Sequence, residues 1–212
     1  MKWLAVAATI VVLAAAAAAA ALLLASRDSS SGSAGSPPAG PYRGSRPPAG
    51  IRAPDFTLRD YRGQTVRMAS LRGRIVLTTF LDSACHDTCP IILARLARGL
   101  RLLDPQTRRS VTALAITVNP PVDTPTHVRR FLLERGALGQ IDYLLGSVRR
   151  LRPVWKAYGI LPAVDTGNAD LHSADVRVFD RHGEWVSTLH AAVDLRPENV
   201  AHDIRTALQQ SS

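Results

Sequence analysis

The chain has 212 residues, 46% of them hydrophobic and 20% charged, with a formal net charge of +9. That balance excludes a disordered polypeptide and leaves room for one ordinary globular domain plus extra segments. The excess positive charge is dispersed along the chain as arginines rather than gathered in one block.

From Trp3 to Ala25 no charged residue occurs. At about 1.5 Å per residue such a helix crosses the roughly 30 Å hydrocarbon layer of a bilayer. Its position and Lys2 fit a cleaved secretory signal, but the stretch exceeds the roughly 7–15 residues of a signal's apolar core, and a retained transmembrane anchor over residues 1–25 is the expectation. Either way the remainder is delivered across a membrane, to the extracytoplasmic side. Nucleic acid is a poor match for an exported protein, so the basic balance points to anionic lipid or an acidic protein partner. Residues 26–50, rich in Ser, Gly, Pro and Ala, read as a flexible tether. As a coil they reach on the order of 25–30 Å.

The domain is expected over residues 51–212. Ala53–Leu58 alternates, residues 60–64 offer a turn, and Thr65–Met68 returns, which predicts an N-terminal β-hairpin. Ile75–Leu81 is β-rich and uncharged, the pattern of a central strand buried on both faces. After Cys89-Pro90, the residues Ile92, Leu96, Leu100 and Leu103 recur at helical spacing. Val111–Val118 reads as another strand, broken by Asn119-Pro120-Pro121. Thr124 and Pro125 supply an N-cap and a first helical residue for a helix to about Arg135. Tyr143–Leu145 is a short strand, and residues 147–158 read as a helix interrupted at Pro153. Val176–Phe179 and Trp185–Leu189 form a second hairpin, and Arg196–Gln209 closes the chain as a helix. This order gives an α/β fold on the thioredoxin plan, a mixed sheet with helices on both faces and an N-terminal β-hairpin extension.

The chemistry falls on Cys85-His86-Asp87-Thr88-Cys89-Pro90, the chain's only two cysteines, between a buried strand and the start of a helix. A structural disulfide closing so small a loop gains little entropy. The helix N-terminus favours thiolates, which both metal binding and disulfide exchange require. Two soft sulfurs on one helical turn suit Cu(I) or zinc, with a third donor still to be found. Among the six histidines, His127, His182, His190 and His202 read as solvent-facing, while His86 between the cysteines is placed to tune a thiol. His172 differs, standing in Leu171-His172-Ser173-Ala174 after a polar loop and just before a strand. In a thioredoxin-like fold that loop lies opposite the cysteine turn.

From about Ile51 to Leu208 the chain resembles the SCO/SenC proteins, copper-binding assembly factors of cytochrome oxidase. The resemblance rests on Pro54-Asp55-Phe56-Thr57-Leu58, on residues 71–77, on Phe80 through the CxxxCP turn, on residues 119–125, and on Asp170-Leu171-His172-Ser173 followed by Val178-Phe179-Asp180 and Gly183. It departs where the family has Pro-Asp after the first cysteine, here His86-Asp87, and Asp-Pro where Asn119-Pro120 stands. The resemblance implies that Cys85, Cys89 and His172 bind one copper as Cu(I) or Cu(II), with Asp82 behind them. It also implies a metallochaperone for an apo cuproprotein such as a cytochrome c oxidase subunit, at its copper A site; no feature of the sequence demands a dimer, and a monomer is expected. The alternative is a thiol–disulfide oxidoreductase using Cys85 and Cys89 on the same partner; a peroxidase is disfavoured by the turn.

Overall fold

The structure is a computed structural model and describes residues 40–166 and 175–211. The expected anchor, residues 1–25, and His172 lie outside the described residues. Among the described residues no helix is long and apolar enough to cross a membrane.

Among the described residues seven strands form one mixed sheet: β1 (Thr57–Asp60), β2 (Thr65–Arg67), β3 (Ile75–Leu81), β4 (Val111–Thr117), β5 (Asp142–Leu145), β6 (Asp175–Phe179) and β7 (Trp185–His190). Their spatial order is β2-β1-β5-β4-β3-β6-β7. The helices are α1 (Thr88–Arg101), α2 (Pro105–Arg109), α3 (Pro125–Glu134), α4 (Val148–Tyr158), α5 (Ala163–Thr166) and α6 (Pro197–Gln210). β3 and β4 are parallel and in register from Ile75↔Val111 to Leu81↔Thr117, so the loops that follow them emerge side by side.

All seven residues of β3 are buried, as a central strand requires. Alternate side chains serve opposite faces. Ile75, Leu77 and Leu81 pack with Ile92 and Leu96 of α1, Phe131 of α3 and Ile204 of α6. Val76 and Phe80 pack with Leu151 and Trp155 of α4 and with Leu58 of β1. The N-terminal hairpin forms as predicted, β1 against β2, and β1 also pairs antiparallel with β5.

The predicted break at Pro153 does not occur, for α4 runs unbroken through it. Pro153 and Arg149 are both exposed, so the one carbonyl left without an N–H partner can be solvated by water. Ahead of β1 the backbone is held against the last helix: Arg43 and Gly44 N–H groups donate to the buried Asp203 carboxylate at 2.7 and 3.0 Å, and Ser45 pairs with Thr188.

Candidate metal centre

The cysteine turn begins where β3 ends. Cys85 N–H donates to the Asp82 carbonyl at 3.3 Å, tightening the chain, and α1 opens at Thr88. Cys89 therefore stands in the first helical turn, where its N–H has no intrahelical partner. It donates instead to Cys85 Sγ at 3.4 Å. The two sulfurs thus share one helix N-terminus, both as thiols.

They are not equivalent. Cys89 is fully buried, whereas Cys85 is 4% exposed and lines an open groove. The expectation that the helix end favours thiolates fails at Cys89: its hydrogen bond with the Cys85 side chain, followed by burial, pushes this thiol far up, against one backbone hydrogen bond that lowers it. A bound cation would reverse that balance, since coordination deprotonates a thiol outright.

Two buried carboxylates hold the arm that leads into the turn. Asp123, from the loop after β4, accepts from Ser83 N–H at 2.8 Å through one oxygen. Its other oxygen lies 2.6 Å from Thr117 Oγ1 and 2.7 Å from the Tyr143 hydroxyl. Burial raises the Asp123 carboxyl above its ordinary range, although those hydrogen bonds oppose the shift. Asp82 accepts from Ala84 N–H at 2.7 Å and from Asn119 Nδ2 at 2.8 Å. The two loops made adjacent by the β3–β4 register are therefore fastened by side chains from each.

Of the predicted site residues, the structure brings Cys85 and Cys89 together, and His172 lies outside the described residues. Among the described residues no group of three His, Cys, Asp or Glu forms a metal cluster. His127 is exposed, as expected, and also lines the groove beside Cys85 and His86, with Nδ1 3.0 Å from the Val122 carbonyl. A carbonyl only accepts, so Nδ1 carries the proton. His190 and His202 are engaged elsewhere, with Ser45 Oγ and the Pro41 carbonyl. Asp123 and Tyr143 were missed by sequence reasoning; a carboxylate in a Pro-Pro-Val-Asp-Thr-Pro loop after a buried strand was the available signal. β6 enters the sheet at Asp175, whose carbonyl accepts from Thr79 Oγ1 at 2.8 Å, at the end of β3 that carries the turn.

Residues 45–209 match the SCO1/SenC family. A candidate copper-binding protein of Stutzerimonas stutzeri is 31% identical over 148 residues, 67% of this chain and 71% of that one. The mitochondrial SCO2 homolog of Bos taurus is 32% identical over 113 residues, 53% of this chain and 42% of its own length, so less than half of that relative is matched. The solved structure of Bradyrhizobium japonicum ScoI with copper bound superposes with a TM-score of 0.62 at 27% identity, over 74% of this chain and 100% of that one.

Proposed function

The chain belongs to the SCO1/SenC family, and on that premise we propose that it carries one copper ion on Cys85, Cys89 and His172 and hands it to an extracytoplasmic cuproprotein, the copper A site of a cytochrome c oxidase subunit. The carrying observation is the pair of sulfurs at one helix N-terminus, with the Cys89 N–H on Cys85 Sγ at 3.4 Å. Two soft donors on a rigid turn suit Cu(I), and an imidazole completes a three-coordinate set that tolerates Cu(II). The first residue of β6, Asp175, lies at the same end of the sheet and only three positions after His172 in the sequence, which supports His172 as that imidazole.

Loading releases the Cys89 proton, so copper uptake strengthens as pH rises. Asp123 and Asp82 keep the arm before Cys85 from moving when the thiols exchange a proton for metal. Transfer proceeds by exchange of donors: thiolates of the recipient displace Cys85, the more accessible ligand, before Cys89. An anchor over residues 1–25 and the expected tether over 26–50, shortened at its end because residues 43–45 are held on the domain, would keep the domain expected over 51–212 at the membrane surface beside its recipient.

One observation favours a second reading. Cys85, which reaches a groove wall at 4% exposure, and the fully buried Cys89 have the asymmetry of an attacking and a resolving thiol, as a thiol–disulfide oxidoreductase needs. The deciding experiment incubates copper-loaded protein with an apo copper A domain and follows the colour of the product, alongside Cys89→Ser. Stoichiometric copper transfer supports the carrier; transfer of reducing equivalents alone, with Cys89→Ser trapped as a mixed disulfide, supports the oxidoreductase.

A further inference from the structure

Two grooves flank the cysteine turn. One, of about 290 Å³, has Cys85 in its wall and carries His86, His127, Arg130 and Arg135 against a single acid, Glu134. The other, of about 380 Å³, runs beside the first turns of α1 and carries Arg95 and Arg196 with no acidic residue. Among the described residues Arg130, Arg135 and Arg196 form no ion pair. Arg95 donates to the Ala191 carbonyl at 2.8 Å, a neutral acceptor that leaves its charge uncompensated. The other carboxylates near the turn are Asp87, next to His86 in the chain, Asp194, whose carboxylate holds the His190 N–H, and the buried Asp82 and Asp123, whose oxygens are occupied by N–H and O–H donors. On the groove walls themselves four arginines face one carboxylate, Glu134, before either histidine is counted, so the surface beside Cys85 is cationic.

The second groove is also apolar. Ile91 is 42% and Val193 72% exposed, and both line it. Apolar anchors inside a charged rim are the composition of a protein docking site. A lipid headgroup would satisfy the charge, but the reactive group in the wall is a thiol, whose exchange partner is another thiol.

We propose that this surface docks an acidic segment of the recipient protein, laid across the two grooves so that a cysteine within that segment meets Cys85. The inference rests on the reading of Cys85 as the residue through which copper or a disulfide is exchanged, and it names the chemistry of the partner: carboxylates flanking a cysteine.

The test uses the full chain carrying Cys89→Ser in detergent, with two synthetic peptides of equal length as probes. Each has one cysteine bearing thionitrobenzoate, flanked by four aspartates in one peptide and four lysines in the other. The Cys85 thiolate attacks the peptide sulfur, forming a Cys85–peptide disulfide while thionitrobenzoate departs with the bonding electron pair, so no external oxidant is needed. The acidic peptide is expected to react about tenfold faster at low salt, the lower end of electrostatic steering. The advantage should shrink toward unity as salt shortens the screening length.

Arg130→Glu/Arg135→Glu/Arg196→Glu is expected to abolish the preference. Arg59→Glu/Arg98→Glu/Arg109→Glu, an equal change of net charge at exposed positions away from the turn, is expected to keep most of it. Equal rates for the two peptides in the parent protein, or equal losses in both triple variants, would overturn the proposal. A copper titration of the chain with both cysteines intact separates this from the proposed function: a peptide preference without copper binding sinks only the carrier reading.

Discussion

Replacing Tyr143 by Phe removes one hydroxyl from the network under the cysteine turn and leaves the ring's volume in place. The hydroxyl lies 2.7 Å from Asp123 Oδ2 and 2.9 Å from the Leu81 carbonyl, inside a fully buried site. A hydrogen bond to a charged group contributes about 1.5–3 kcal/mol, so Tyr143→Phe should destabilise the protein by about that much at neutral pH. The loss should depend on pH. Burial sets the folded-state value of Asp123 above its unfolded one, so this group's contribution to stability is fully present below the unfolded value near 3.9 and is lost as pH rises through the raised folded value. Losing the phenol raises Asp123 further, because its hydrogen bond favours the charged form. The variant's penalty should therefore fall toward the ~1 kcal/mol of a neutral hydrogen bond as acid protonates Asp123. Urea unfolding of both proteins across that pH range, read by the fluorescence of buried Trp155, measures it. A penalty below about 0.5 kcal/mol at every pH would refute the claim that this phenol supports a charged Asp123.

Gly99→Ala would place a Cβ 2.6 Å from Val200 Cβ and 2.9 Å from the Pro197 carbonyl, forcing α1 and α6 apart; the expected cost is about 1–3 kcal/mol, read as a lower melting temperature. Asp203→Ala strips the acceptor from the Arg43 and Gly44 N–H groups and from the Ser187 hydroxyl. It should release residues 41–46 to limited proteolysis well before the domain unfolds, and unchanged cleavage would count against that anchorage. Copper affinity should rise with pH, since coordination must displace the raised Cys89 proton, and a flat profile between pH 6 and 9 would argue that Cys89 is not a ligand.

Much of this fold is legible in local pattern. The uncharged run of β3, the helical spacing of Ile92, Leu96 and Leu100, and the Thr124-Pro125 cap each carry their structure within a few residues. The structure bears out the cap, with Thr124 Oγ1 accepting from His127 N–H at 3.2 Å. The short helix α2 escaped notice although Asp104-Pro105 announces it: the Asp104 carboxylate caps the Gln106 and Thr107 N–H groups. The helix α5 has four residues, too few for any periodicity to register. Of the site, the cysteine pair was readable because both residues sit in one turn. The network beneath it was not, since Asp123, Thr117, Tyr143 and Ser83 come from β4, the loop after it, β5 and the loop after β3. The parallel registers of β3 with β4 and of β4 with β5 bring them together. His127 is exposed, as its place on the helix implies, but which groove its first turn borders depends on the neighbouring loop and was not readable locally.

The central claim is that Cys85, Cys89 and His172 hold one copper ion. Its most direct test is a copper titration of the reduced protein beside His172→Ala, following bound metal and sulfur-to-copper charge-transfer absorption. The account predicts one tightly held copper in the parent, lost in the variant while its dithiol still oxidises. Absence of stable copper in either protein, or equal binding in both, would contradict it.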